Sequence, residues 1–475
     1  MTDQNYNPWA AAVVLLLGNF MNLIDVTIVN VALPSIRADL GATPAQTEWV
    51  AAGYVLAFAA GLLPFGRFGD MLGRKRLFLW GIGLFTLASA LCGLAQSMPT
   101  LIAARALQGF GASMMVPQVM ALIHVMFEPD AKAKALSLSA VMISVGAVSG
   151  PMLGGALIGA DLWGLGWRPI FLVNLPVGLG AVLFGMRLIP EIRSDVAMTI
   201  DWPGVVLFSL TITLIVLPVI EGTQLNWPWW CIAMLTGALP MAWLFIHRQI
   251  RLERAGRTQL LPMRLMRSTS YMSGLLMVML HFSAIPGMFL VLAIYLQTGF
   301  GLTPLQSGMT TAPFPLALML GSTVTGRFGQ RGLVRRIAVG TACLFCAMLY
   351  LRHVAGEPPQ PFTALVFVAP LALGGFGAGL LIPPMFQLVL NSVPGNDAGA
   401  GAGTMQTFQQ TGTAMGIAMT SSLFFAFLQL PQNAGDYPGA MQQGLLYPLA
   451  AFSGVLIVLS LRSHLLRKAG AFEGA

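Results

Sequence analysis

The chain has 475 residues, of which 9% are charged and 56% hydrophobic, and its mean hydropathy is +0.77. Soluble domains carry about 25% charged residues, so this supply cannot cover a water-facing surface, while the aliphatic and aromatic content excludes disorder and the unperiodic spread of 53 glycines and 30 prolines excludes a collagen repeat. A polytopic membrane protein remains. Its formal charge of +8 then needs a membrane explanation, because aromatic and basic residues do not interleave in a soluble segment as nucleic-acid binding would require.

A spanning helix needs about 20 mainly apolar residues. That ruler predicts fourteen spans, over 9–33, 47–69, 77–97, 100–127, 135–160, 167–189, 202–221, 228–247, 270–297, 306–328, 335–354, 362–390, 400–430 and 443–465. Glycine and proline interrupt several of them, as spanning helices tolerate, and the gaps leave no room for a soluble domain. The N-terminus lacks Lys and Arg and its first apolar run is long, so no cleavable signal peptide is expected. With the N-terminus inside, 21 of the 25 Lys and Arg residues fall in one set of loops; Arg37, Arg168 and Arg352 fall in the other, and Arg105 lies within a span. The positive-inside rule therefore predicts both termini cytoplasmic, in the plasma or inner membrane, and supports an even number of spans.

Span 1 carries the only carboxylate clearly within a span, Asp25. It shares an arc of roughly 140° with Asn19, Asn22 and Asn30 at 100° per residue, a face expected to line a cavity; a structural polar cluster is the alternative. After span 2 the text GRFGDMLGRKRLF places one acid, Asp70, among four bases, with Gly66 and Gly73 permitting a tight turn. Asp70 is suited to pairing with Arg74 or capping a neighbouring helix N-terminus, and Lys75 follows; membrane anchoring alone is the plainer reading. Span 4 holds Arg105 and, near it, Gln108. A charge in hydrocarbon costs a few kcal/mol, so Arg105 needs a partner or cavity, unless it snorkels to a helix end about 9 Å away.

In span 5, Gly146, Gly150 and Gly154 form a smooth stripe beside Pro151 and Gly155, a pattern that lets helices pack closely in lipid. His281 lies in the middle of span 9, where a histidine either titrates in a cavity or packs with its hydrogen bonds satisfied. Cys92, Cys231, Cys343 and Cys346 sit in apolar runs, and the C-x-x-C pair lacks a second ligand pair, so packing and no metal site are expected. Gln406, Gln409 and Gln410 in span 13 offer uncharged contacts to a substrate or to another helix.

The text repeats itself. Gly66-Arg67-Phe68-Gly69 recurs as Gly326-Arg327-Phe328-Gly329, and Leu107-Gln108-Gly109-Phe110-Gly111-Ala112 is echoed by Leu373-Gly374-Gly375-Phe376-Gly377-Ala378. Spans 2 and 4 thus match spans 10 and 12. This shift predicts two six-helix bundles, 1–190 and 269–475, separated by an extra pair of helices within 191–268. Parallel repeats of this kind are a transporter architecture with a site between the halves. The copies differ at two charged positions: Gln330 replaces the acid Asp70, and Leu371 stands where Arg105 does.

The stretch from Gly66 to Lys75 resembles the loop 2–3 signature of the major facilitator superfamily, matched at Gly66, Asp70, Gly73, Arg74 and Lys75, with Met71 in place of the usual Arg. Gly146, Gly150, Pro151, Gly154 and Gly155 resemble its antiporter signature, and LIAARALQGFGAS its helix 4 motif, with Arg105 on the motif's Arg. LIDVTIVNVALPSI resembles the helix 1 signature of the fourteen-helix drug:proton antiporter branch, with Asp25 on its acid. WRPIFLVNLPVG, Asp201, YLQTGFGLTPLQSG and GAGTMQTFQQTGTAMG also look like that branch, so the resemblance covers nearly the whole chain. It implies an all-α major facilitator fold and proton-coupled export of drugs or other amphipathic or cationic small molecules by alternating access.

On this resemblance loop 2–3 is a cytoplasmic gate latch, and Asp25 and Arg105 couple protons, with His281 a further candidate on its position. Asn19, Asn22, Asn30, Gln108, Gln406, Gln409 and Gln410 are the expected substrate-cavity residues. The proton motive force replaces any cofactor, a monomer is expected, and a periplasmic adaptor with an outer-membrane channel is left open. A dedicated exporter of one metabolite, antibiotic or lipid is the nearest rival; the span 5 motif speaks against an importer. The sequence holds no nucleophile–base or metal constellation for a membrane enzyme and no G-x-x-x-x-G-K-[ST] loop for ATP-driven transport.

Overall fold

The side chain of Asn7 accepts from the Trp9 and Ala10 amides and starts the first helix, α1 (Pro8–Leu40), which ends at Gly41 in the left-handed region, φ 59°. Thr43 and Gln46 form a reciprocal capping box at the head of α2 (Pro44–Leu72). Gly73, at φ 107°, turns the chain directly into α3 (Arg74–Gly93), a conformation that excludes side chains with a Cβ. There follow α4 (Met98–Met126), α5 (Pro129–Gly159), α6 (Asn174–Leu188), α7 (Trp202–Gly222), α8 (Trp229–Arg254) and α9 (Thr269–Ile294). The last five are α10 (Pro313–Gly326), α11 (Leu333–Gly356), α12 (Val368–Leu390), α13 (Ala398–Leu428) and α14 (Leu446–Lys468). This computed structural model describes residues 6–192, 199–222, 225, 227–358 and 363–468, without the side chains of 44–45, 147–148, 151, 163, 304–305 and 463–468.

Twelve helices among the described residues are long and apolar enough to cross a membrane. The other two expected ranges, 135–160 and 306–328, are also helical, as α5 and as the short helix Pro304–Thr311 followed by α10. Several expected boundaries move for local reasons. The range 306–328 is broken at Ala312, because Pro313 and Pro315 supply no backbone N–H to continue the ladder. α5 starts at Pro129 rather than 135, since proline fits a first helical turn and Asp130 suits a helix N-terminus. A one-turn helix, Pro169–Leu172, precedes α6, and another short helix, Tyr437–Gly444, precedes α14.

The packing repeats with the text. α2 and α3 both pack on α4, as α10 and α11 pack on α12; α1 meets α5 and α6, as α9 meets α13 and α14. The two sets touch through α2 against α13 and α5 against α10, while α7 packs on α2 and carries α8. α2 and α13 approach closely because both present glycine: a methyl on Gly399 would run into the Gly66 carbonyl, and one on Gly403 into that of Leu62. Apolar side chains such as Phe78, Phe85, Met115, Tyr271, Met288 and Phe386 fill the interior.

Candidate functional site

Asp25 is fully buried, and each of its oxygens is occupied. Oδ2 accepts from Arg105 Nη1 at 2.5 Å; Oδ1 accepts from Gln108 Nε2 at 2.8 Å and from Asn174 Nδ2 at 3.2 Å. The arginine is equally enclosed. Its Nη1 also donates to Gln108 Oε1 at 2.7 Å, its Nε donates to the Val50 carbonyl at 3.1 Å, and its guanidinium lies 4.4 Å from the centre of the Tyr54 ring. Asn174 donates further to Ser89 Oγ at 3.0 Å. An ion pair out of water persists only when its remaining donors and acceptors are satisfied, and here residues from α1, α2, α3, α4 and α6 do so.

The other expected cavity residues are dispersed. Asn22 is half-buried and accepts from the Tyr54 hydroxyl. Asn19 is half-buried and Asn30 exposed, so the polar arc of α1 divides between the ion pair and its surroundings. Gln108 sits inside the ion-pair cluster, 0% exposed, rather than on a free cavity wall. On α13, Gln406 is buried, Gln410 half-buried, and Gln409 keeps Oε1 buried without a hydrogen-bond partner among the described residues. His281 is not brought to Asp25. It is buried in α9 against the Phe282 and Phe452 rings, with Nδ1 unpartnered among the described residues.

Asn174, Tyr54 and Ser89 were missing from the expected site. Asn174 had a legible signal, an amide in an otherwise apolar part of span 6; Tyr54 and Ser89 are too ordinary in such helices to stand out.

The loop 2–3 residues join the two sets of helices at their arginine-rich end. Asp70 accepts from Arg74 Nη2 at 2.7 Å and, in trans, from the Gly399 and Ala400 amides at 2.8 and 3.0 Å, so it caps the start of α13. Arg74 also donates to the Gly395 carbonyl at 2.6 Å, and Arg67 pairs with Asp397 at 2.8 Å. Lys75 reaches back to the Met186 carbonyl at 2.7 Å. In the second copy the acid comes from the other side: the Gln330 amide donates to Asp130, at the start of α5, at 3.2 Å. Gln387 donates to the Pro129 carbonyl at 3.1 Å beside it.

The span 5 glycines seat α1. A methyl on Gly146 would meet Leu23, one on Gly150 Thr27, and one on Gly154 Ile28, residues that flank Asp25 in sequence; Gly155 faces open space. The side chain of Pro151 lies outside the described residues.

A helical bundle this apolar, with ion pairs locking one end and a buried pair of charges within one half, is a multi-pass membrane protein of the transporter class. The model for "Major Facilitator Superfamily" matches residues 15–417. The chain belongs to that superfamily, whose members are transporters of small molecules and not enzymes. It is 36% identical over 438 residues to the "Probable actinorhodin transporter" of Streptomyces coelicolor, covering 91% of this chain and 75% of that one. Multidrug resistance protein Stp of Mycobacterium tuberculosis is 34% identical, with 87% and 75% covered. The "Tetracenomycin C resistance and export protein" of Streptomyces glaucescens is 30% identical, with 88% and 76% covered. Among solved structures the fold matches the human organic anion transporter MFSD10 at a TM-score of 0.69 and 17% identity, covering 95% of this chain and 99% of that one.

Proposed function

We propose that this chain is a proton-driven exporter of amphipathic small molecules, of the fourteen-helix drug:proton antiporter branch. Its spans are the twelve named above together with α5 and the α10 segment, arranged as bundles 1–190 and 269–475 around an extra pair in 191–268. The arginine-rich end faces the cytoplasm, both termini lie there, and the protein works as a monomer in the cell membrane.

The observation that carries this reading is the Asp25–Arg105 pair, enclosed in the first half and matched by Leu371 in the second. Ionised, Asp25 ties α1 to α4 and α6. A proton on its carboxyl removes the anion and leaves Arg105 to Gln108, the Val50 carbonyl and the Tyr54 ring. Breaking one side of a buried pair costs about 3–5 kcal/mol, which favours a different seating of α1. Because Thr27 and Ile28 lock α1 to the glycines of α5, and α5 packs on α10, that movement reaches the other half. The latch at the arginine-rich end supports a resting arrangement closed to the cytoplasm. For a neutral substrate, one proton moving inward through 100 mV supplies about 2.3 kcal/mol before any pH gradient is added; exchange of one proton for a monovalent cation moves no net charge, so there the pH gradient alone drives export.

Purified protein in liposomes, given a panel of lipophilic cations and neutral drugs, should move at least one of them against its gradient when a pH gradient is imposed. Flux insensitive to the pH gradient for every compound would overturn the reading. The names of the actinorhodin and tetracenomycin C relatives favour a second reading, a dedicated exporter of one compound. A single strongly preferred ligand in the same panel would select it.

A further inference from the structure

The helix pair α7–α8 has no counterpart in the repeat, and the transport cycle above makes no use of it. Its principal buried acid is Asp201, 8% exposed, immediately ahead of α7. One carboxylate oxygen accepts from the Gly204 amide at 3.1 Å and from Arg248 Nε at 2.7 Å; the other accepts from Gln249 Nε2 at 2.9 Å. Gln249, 0% exposed, passes the contact on: its Oε1 accepts from the Leu260 and Leu261 amides at 2.8 and 3.3 Å. The segment leaving α8 is thereby held to α7, and the side chains of Leu260, Leu261 and Met263 bury in a cluster shared with Leu63 of α2 and Phe208 of α7.

This segment leads straight to the latch. Gln259 Oε1 accepts from the Met263 amide at 2.7 Å and begins the short helix Met263–Arg267. From it Arg264 projects onto Asp397, with Nε 3.1 Å from Oδ2 and Nη2 bonded to the same oxygen. Arg267 is held by Glu253 of α8 at 2.7 Å, which fixes the far end. Asp397 therefore receives one arginine from α2, Arg67, and one from the linker, while it opens α13 of the second half.

We infer that the α7–α8 pair is a third arm of the gate, in which the Asp201 clasp positions the linker so that Arg264 closes over Asp397. α7 packs on α2 more extensively than on α13, and Leu260, Leu261 and Met263 bury beside Ala59 and Leu63 of α2. Separating α2 from α13 therefore draws the linker, and Arg264 with it, off Asp397 together with Arg67, although the linker helix also meets α9. The arm adds an ion pair to the closed arrangement alone. Asp201 and Arg264 are positioning residues; neither meets a substrate. Arg264 is more than half exposed, so solvent screening limits its effect to a severalfold shift in gate opening.

The inference rests on the alternating-access reading, but its test measures opening rather than flux, so the two fail separately. Hydrogen exchange of the intact protein in lipid nanodiscs reads the amides of 395–405 at the head of α13. Arg264→Gln should speed their exchange about fivefold with the melting temperature unchanged, and Arg264→Lys should restore most of the protection. Asp201→Asn should give a similar rise, and the double variant no more than either alone, because one acts through the other. Arg248→Gln loosens the clasp from a half-exposed side chain and replaces Asp201→Asn if that variant does not fold. Wild-type exchange in Arg264→Gln, or rises that multiply in the double variant, overturns the proposal.

Discussion

Asp25 and Arg105 show how a shortage of charge makes single residues readable. Asp25 and Arg105 lie well inside their spans, where hydrocarbon leaves each few alternatives to the other, and the structure places them 2.5 Å apart. Asp25→Asn keeps the shape of the side chain but removes the titrating group. Proton-gradient-driven flux in liposomes should vanish, with the protein still folded because Gln108, Val50 and Tyr54 continue to hold Arg105; undiminished coupling would falsify the assignment. Arg105→Lys preserves the charge and loses the fork that reaches Asp25, Gln108 and Val50 together, so flux should fall at least about tenfold, measured in the same liposomes. His281→Leu should leave coupling within about twofold of wild type, as its ring packs against Phe282 of α9 and Phe452 of α14 and not against Asp25 or Arg105; the same liposome assay measures it. Asn174 marks the limit of reading residues singly: its role depends on α6 folding back beside α1, and no local pattern encodes that contact.

At the scale of elements, helices and their order were legible because every span must satisfy its own backbone in lipid. Their internal breaks were less so. The interruption at Ala312 and the separate turn at Pro169–Leu172 follow from prolines that a hydropathy window averages over. The loop 2–3 glycines and Asp70 were visible as a tight turn with a capping acid, but the helix being capped, α13, lies more than three hundred residues away. Asp70→Asn weakens both the Arg74 pair and two amide bonds, so the gate should open more often; faster hydrogen exchange at the head of α13 would record it, whereas unchanged exchange would remove Asp70 from the latch. Gly399→Val tests the same crossing by volume, since its side chain collides with the Gly66 carbonyl. It should hold α2 and α13 apart and raise labelling of a cysteine introduced at Gly395.

Across the whole molecule, the repeated text and the repeated packing give two related sets of helices whose contacts at the arginine-rich end differ in polarity. Asp70 of the first set caps the second, and where Gln330 removes the matching acid, Asp130 of the first set again supplies it. Both acids belong to the same half. Removing the side chain in Asp130→Ala should loosen the α5–α10 contact less than Asp70→Asn loosens α2–α13, because one amide bond is at stake rather than an ion pair and two amides; exchange at Gln330 and its neighbours measures it. Composition, span length and charge placement by themselves determined a multi-pass helical membrane protein, since lipid permits few backbones and rations charge, and the repeated text added that its halves are related. Which helices touch, which acid caps which helix, and how the α7–α8 linker reaches Asp397 were decided only by the tertiary structure. Those contacts join residues far apart in the chain through geometry that spacing along the sequence does not carry.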